Sequence, residues 1–413
     1  MKNYKTTKQP SSTPIHVDTK QYTHWQHPQL TEIGLYYPLG PCRMRFRRER
    51  LTKVLNNLPK IFGALSLEAV YHDAPISATL RSLDQVEFVV TILGARSAAV
   101  RNEDAQDVIL EIQRRDGDCV AFHRLSHQIL HALTTGTFPT LKNHWAPTCW
   151  SDESVQRADM VLPRPSLTKQ QATYFISGTP QNMGNALDVA WAMLSTERHD
   201  AQKLGLESLV HMTNPIQSGW ANACWATSAI LSATTSAHER IGNVLLEHVC
   251  FLKDDYARTF YTDFHSFSMH PCYGGSTETD FAYLALMAIS HLLSVAATYN
   301  QHQHQHQLST ASVGDNDGMM DIRPFLERGE LLECLLRKVR CAESNPHDAY
   351  HAIQCLTSLC QLLPDIRSEI NNNDVLEAEH FGEACHWGLR VVSHRLLTTL
   401  GAADASQVEV VYS

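Results

Sequence analysis

Two rhythms of apolar and polar positions divide the chain. Before about residue 135 the apolar residues come in short runs; from Asn182 onward they recur every three or four positions, the spacing of one face of an α-helix. The start is polar, with Pro10, Pro14 and Pro28 and no period. Leu51, Val54, Leu55 and Leu58 then form a first helical stripe, and Pro59 marks where that helix ends or kinks. Strand-like runs follow at Leu65–Tyr71, Ile76–Leu80, Val86–Leu93 and Val108–Gln113, the third (VEFVVTIL) rich in β-branched and aromatic residues. Asp116-Gly117-Asp118 reads as a hairpin turn in which Gly117 supplies a positive φ. Cys119–Phe122 is then the return strand, and His123–Leu133 a helix with Leu125, Ile129, Leu130 and Leu133 on one face. The sum is a compact α+β unit: a helix, an antiparallel sheet of about four or five strands, and a closing helix.

Pro139, Pro147, Pro163, Pro165 and Pro180 punctuate the next stretch, with Trp145 and Trp150 between them. So long a stretch without periodicity reads as a linker and a domain boundary. Beyond it the period predicts helices over 182–195, 199–212, 217–233, 236–252, 277–299, 324–342, 346–362 and 375–400. Asp200 opens one and Asn214-Pro215 closes it, while Pro346 takes a favoured first-turn position. The alternating run Gln301–Gln307 is low in complexity and reads as part of a loop over 300–323. Two helices carry similar cores, LESLV at 206–210 and LTSLC at 356–360, each led by Asp-Ala (Asp200-Ala201 and Asp348-Ala349). Ala201, Gly205, Ala221, Ala223 and Ala226 mark sites of close helix packing. Helix pairs that hide their apolar faces only against the next pair stack into a solenoid. The predicted organisation is a disordered polar segment (1–42), an α+β domain (43–135), a Pro-rich linker (136–181), a helical-repeat domain (182–400) and a tail (401–413).

Composition changes this picture little. The 413 residues are 43% hydrophobic and 19% charged, which excludes wholesale disorder. The apolar runs are short and interrupted, so no transmembrane segment is expected, and the polar start lacks the apolar core of a secretory signal. The net charge of −9 hides an asymmetry: residues 1–60 hold 11 Lys/Arg against 3 Asp/Glu, a basic segment of +8 on a body of −17. The 11 cysteines are odd in number, dispersed and without a CxxC pair. They are expected to be small core residues in a reducing compartment, the cytoplasm, and the nucleus fits the same reading.

Two resemblances rest on these stretches. Residues 199–215 (HDAQKLGLESLVHMTNP), and more weakly 347–364, resemble an armadillo/HEAT-type helical repeat, which implies a protein-binding superhelix. Residues 86–133 resemble the kinase-associated C-terminal domain: VEFVVTIL, a variable loop, then VILEIQRRDGDCVAFHRLSHQIL, with Gly117, Phe122, Leu125, Ile129 and Leu130 at the matching places. That resemblance implies contacts with anionic lipid and within the molecule, although no kinase signature lies upstream.

The strongest local chemical signal is the basic cluster Arg43, Arg45, Arg47, Arg48 and Arg50, read as opening the first helix. Guanidinium forks suit phosphate and anionic lipid; the same spacing also describes a solvated first helical turn. His123, His127 and His131 recur at every fourth position, a chelating spacing. They stand about 200° around the helix from Leu125, Ile129 and Leu133, so a solvated face is the better reading. His347, His351 and Cys355 share another helical face, with Cys341 a candidate neighbour; the expected reading is a helix edge with Cys355 in the core. Asp315-Asn316-Asp317-Gly318 with Asp321 fails the register of a calcium loop and reads as a turn. Cys272, beside Gly274-Gly275 and near Asp263, His265 and His270, is the one arrangement suggesting a thiol nucleophile, without an oxyanion motif. GxxxxGK[ST], GxGxxG and GxSxG are all missing.

The expectation is a mixed fold, a small α+β domain followed by an all-α armadillo/HEAT-like superhelix, acting as a non-enzymatic scaffold or adaptor. Its partner is a protein, with an anionic membrane surface as a second contact through the arginines; no metal, no cofactor and no catalytic residue is expected. The alternatives are a thiol- or metal-dependent hydrolase and a nucleic-acid-binding protein, the latter disfavoured by the acidic body.

Overall fold

The computed structural model describes residues 25, 30–33, 40–95, 107–136, 181–250, 277–310, 320–327 and 330–401. They belong to two compact units. The first takes the chain up to Phe62 together with Ala69–Thr137; the second takes Gly63–Glu68 and everything from Phe138 onward.

The first unit is built on a sheet of β1 (Thr31–Ile33), β2 (Arg43–Arg47), β3 (Glu68–His72), β4 (Ser77–Arg81), β5 (Glu87–Ala95) and β6 (Asp107–Asp116). The strand order is β2-β6-β5-β4-β3, and β1 pairs in parallel with the end of β5. The registers Val90↔Ile112, Ile92↔Leu110, Met44↔Leu110 and Phe46↔Val108 put these residues on one face, and all but Met44 are buried. Helix α2 (Cys119–Thr135) covers this face with Phe122, Leu125, Ile129 and Leu133; the Phe88 and Phe122 rings meet edge to face at 5.9 Å. On the opposite face Ile33, Leu93 and Ile109 form a small buried group with Ala95 against it.

Two local readings change. The arginines do not open a helix: Arg43–Arg47 is an extended edge strand, Arg48–Arg50 a single 3₁₀ turn, and α1 (Leu51–Ala64) begins only after them, running through Pro59. The reason is the alternation Met44 and Phe46 against Arg43, Arg45 and Arg47, a period of two that a count of basic residues obscures. Nor does Cys119–Phe122 return as a strand. Gly117 has φ +88° as expected, and a side chain there would meet Gln85 O at 2.7 Å. It redirects the chain into a helix, however, because the Asp118 carboxylate accepts from Ala121 N at 2.7 Å and caps α2. Asp serves turns and N-caps equally well, so the dipeptide alone does not decide.

The second unit is helical: α3 (Gln181–Leu194), α4 (His199–Thr213), α5 (Trp220–Leu231), α6 (Ser236–Cys250), α7 (Thr277–Thr310), α8 (Leu331–Arg340), α9 (Pro346–Leu362), α10 (Asn372–Cys385) and α11 (Trp387–Leu400). Short turns Pro215–Ser218 and Arg323–Leu326 precede α5 and α8. Four pairs pack side by side: α3 with α4, α6 with α7, α8 with α9, and α10 with α11. Successive pairs then meet like on like. One row runs α3, α6, α8, α10 and the other α4, α7, α9, α11, with α5 set against α3, α4, α6 and α7.

Close approach within the pairs depends on glycine. A side chain at Gly205 would stand 3.0 Å from Leu194 Cγ and 3.1 Å from Ala190 O, and one at Gly382 only 2.4 Å from Arg390 N. Polar contacts join the helices as well: Lys338 Nζ to Asp348 Oδ2 at 2.7 Å, and His394 Nδ1 to Glu379 Oε1 at 2.8 Å. Asn300 reads both backbone groups of Met320, at 2.9 and 3.0 Å. Helix α7 is apolar over Asp280–His304, enough by length and composition to cross a membrane, and most of that stretch is buried among its neighbours, as in a core helix.

Some boundaries differ from the periodic reading. The Gln301–Gln307 run is helical, because α7 continues to Thr310. The segment 217–233 divides at Gly219 (φ +83°), 324–342 divides before Glu330, and 375–400 divides at His386, whose extended backbone separates α10 from α11.

Candidate functional site

Two places collect polar chemistry, one in each unit. On β2, Arg43, Arg45 and Arg47 are exposed while Phe46 is buried. Alternation puts the three guanidinium side chains on one face at about 7 Å intervals, opposite Glu111, Ile109 and Asp107 of β6. Arg48 and Arg50 follow, also exposed, on the 3₁₀ turn. Glu111 is only 1% exposed, and its carboxylate accepts from Gly40 N; a side chain at Gly40 would come within 3.1 Å of that carboxylate. Because β2 is the outermost strand, its charges also guard the sheet against edge-to-edge pairing. All five arginines of the sequence cluster therefore gather in one exposed strip, but on a strand and turn.

The second place is enclosed. On α9, His347 and His351 lie one turn apart and are 2% and 5% exposed; His386, at the α10–α11 break, is 1% exposed. Packing brings Tyr283 of α7 among them: its hydroxyl stands 3.0 Å from His351 Nε2. His351 Nδ1 meets Gln354 Oε1 at 3.2 Å, that oxygen also accepts from Ser290 at 3.0 Å, and Gln354 Nε2 donates to Tyr350 at 3.0 Å. His347 Nε2 donates to Ser66 O at 3.1 Å, and Ser66 Oγ accepts from Gly388 N at 2.7 Å. The Glu68 carboxylate accepts from the backbone N–H of His347 at 3.2 Å and lies 3.4 Å from its Nδ1. His386 Nδ1 accepts from Leu389 N at 3.0 Å and so caps α11. The His347 and His386 rings touch at 5.1 Å.

Burial sets the protonation of this group. It holds His351 and His386 well below the ordinary imidazole pKa, each neighbouring imidazole adding to the effect. His291 of α7, facing Val210 O at 3.3 Å, is held at about 4 by burial. His291, His351 and His386 are therefore neutral near pH 7; within the cluster, His347 Nδ1 and His386 Nε2 have no hydrogen-bond partner. Cys355 is buried beside Ser290, its thiol pushed up by burial. Among the described residues no group of three or more His, Cys, Asp or Glu side chains is placed to hold a metal.

The other sequence candidates separate. His123, His127 and His131 line the exposed face of α2, with the last two rings stacked at 6.2 Å. Cys341 is exposed, whereas Cys355 is buried. Asp321 Oδ1 accepts from Arg323 N at 3.0 Å and begins a helical turn. Asp315–Gly318, Cys272, His265, His270, Asp263 and Gly274-Gly275 lie outside the described residues. The sequence reading missed Tyr283, Ser290, His291 and His386, which join His347 and His351 only through tertiary packing. A helix of 34 residues with Tyr283 and Ser290 two turns apart on one face, and His291 next to Ser290, was the available signal.

Comparison of the chain with protein-family models, with curated proteins and with solved structures finds no match.

Proposed function

We propose that the chain is a non-enzymatic scaffold whose second unit is an armadillo/HEAT-like superhelix that binds a protein partner. The observation that carries this reading is the double row of helices. Each pair meets the next like on like, the arrangement in which repeats bury their apolar faces only against neighbours and leave an extended surface for recognition. The enclosed histidine cluster favours the same conclusion, since its hydrogen bonds are spent between helices. The first unit, with its resemblance to the kinase-associated C-terminal domain, adds an anionic-surface contact through Arg43, Arg45, Arg47, Arg48 and Arg50.

The test uses the full-length chain. Cross-linking in cells followed by purification and peptide mapping is expected to recover a stoichiometric protein partner whose cross-links fall on α3–α11. In parallel, sedimentation with vesicles containing phosphatidylserine is expected to exceed that with neutral vesicles, to weaken with salt, and to fall when Arg43, Arg45 and Arg47 are changed together to Gln. Cross-links confined to other segments would remove the superhelix reading. Equal sedimentation with both vesicle types would remove the anionic contact.

A further inference from the structure

Cys250 ends α6 and Cys334 lies in the first half of α8, neighbouring helices of one row. They are 84 residues apart in sequence, yet Cys334 Sγ lies 3.7 Å from Cys250 O. One helical turn along α8, Arg337 directs its Nη2 at Cys334 Sγ at 3.5 Å, and Lys338 follows it. We propose that Cys250 and Cys334 form a redox-responsive dithiol that closes to a disulfide on exposure to peroxide and reopens with thiol reductant.

The asymmetry of the pair supports this assignment. The Cys250 partner, Arg337 with Nη2 3.5 Å from the sulfur, and Lys338 all favour the charged form of Cys334, whereas the Cys334 partner and burial drive the Cys250 thiol up. Cys334 is thus the nucleophile and Cys250 the resolving thiol. Cys250 is half-buried, while Cys334 itself is 3% exposed. That restriction favours an oxidant as small as hydrogen peroxide. In the first step the Cys334 thiolate attacks one peroxide oxygen; the S–O bond forms, the O–O bond breaks, and hydroxide leaves. In the second, the Cys250 sulfur attacks the sulfenic sulfur of Cys334; the S–S bond forms, the S–O bond breaks, and the departing hydroxyl takes the Cys250 proton and leaves as water. The two sulfurs together lose two electrons to peroxide. The bond would tie the α6–α7 pair to the α8–α9 pair and close a loop across every residue between them, so oxidation stiffens the stack. In a reducing compartment a disulfide of this kind is transient and serves sensing.

The test takes the reduced full-length chain, treats it with hydrogen peroxide, and maps linked peptides by mass spectrometry without reduction. A Cys250–Cys334 peptide is expected as the first internal disulfide to appear, and dithiothreitol is expected to remove it. In Cys250→Ser the Cys334 sulfenic acid then persists and is captured by dimedone. In Arg337→Gln, alkylation of Cys334 by iodoacetamide at neutral pH slows several-fold. Peroxide that links other cysteines while leaving these two free overturns the proposal, as does a Cys334 that dimedone does not label in Cys250→Ser. The wild-type arm contains no substitution and decides the matter whatever the variants do to folding.

Discussion

The two units handle their polar residues in opposite ways. The sheet unit sends them outward: Arg43, Arg45 and Arg47 stand in solvent while Phe46 between them is buried. The helical unit takes them inward: His347, His351, His386 and Tyr283 are each at most 5% exposed and answer one another across α7, α9 and the α10–α11 break. The difference teaches where function and stability reside. An exposed charge on an edge strand adds little to folding. A buried imidazole forgoes hydration and must be held by its partners, so it belongs to the fold before it belongs to any reaction.

The contrast is broken most severely in the core of the helical unit. Leu292 on α7 is fully buried, and Leu292→Ala is expected to lower stability by about 2–5 kcal/mol through transfer and cavity terms, read from chemical denaturation monitored by circular dichroism.

Acid is the next test. For His291, His351 and His386 the folded pKa lies below the unfolded value near 6.5. The unfolded chain therefore binds more protons as pH falls, and stability present above 6.5 is lost progressively on the way down to the folded pKa. His291 alone, at about 4 when folded, accounts for up to about 3 kcal/mol of that loss. Denaturation midpoints measured between pH 7.5 and 4 check it, and a flat profile would contradict the buried, neutral state of these three imidazoles.

Smaller effects separate the units further. Asp118→Ala removes the carboxylate that accepts from Ala121 N and is expected to cost about 1 kcal/mol, visible as a lowered melting temperature. Arg45→Gln, on the exposed edge strand, is expected to change stability by less than about 0.5 kcal/mol. If the arginine strip binds anionic surfaces, the same substitution reduces sedimentation with phosphatidylserine vesicles. A large loss of stability from Arg45→Gln would instead make that side chain part of the sheet's framework.

Much of this organisation was legible locally. The switch of period near residue 180 separates a sheet from helices, and the stripe of α2 buries Phe122, Leu125, Ile129 and Leu133. Gly117 required a positive φ and has one, and Gly205 sits where α3 and α4 approach closely. Where neighbouring cues were ambiguous the reading slipped. Five arginines in eight residues concealed an alternating strand, Asp118 turned out to be a helix cap, and a glutamine–histidine run of low complexity proved helical, glutamine being a good helix former.

The sequence by itself determined which positions are apolar, with what period, and hence the two kinds of unit and the exposed face of α2. Those properties depend on neighbours within a few residues, where side-chain direction follows from backbone geometry. Only the tertiary structure decided which helices pair, that Tyr283 meets His351 across 68 positions, and that Cys250 meets Cys334 across 84. Such meetings depend on how whole apolar faces close on one another, and burial then fixes the protonation of groups that in the sequence alone look like any other histidine or cysteine.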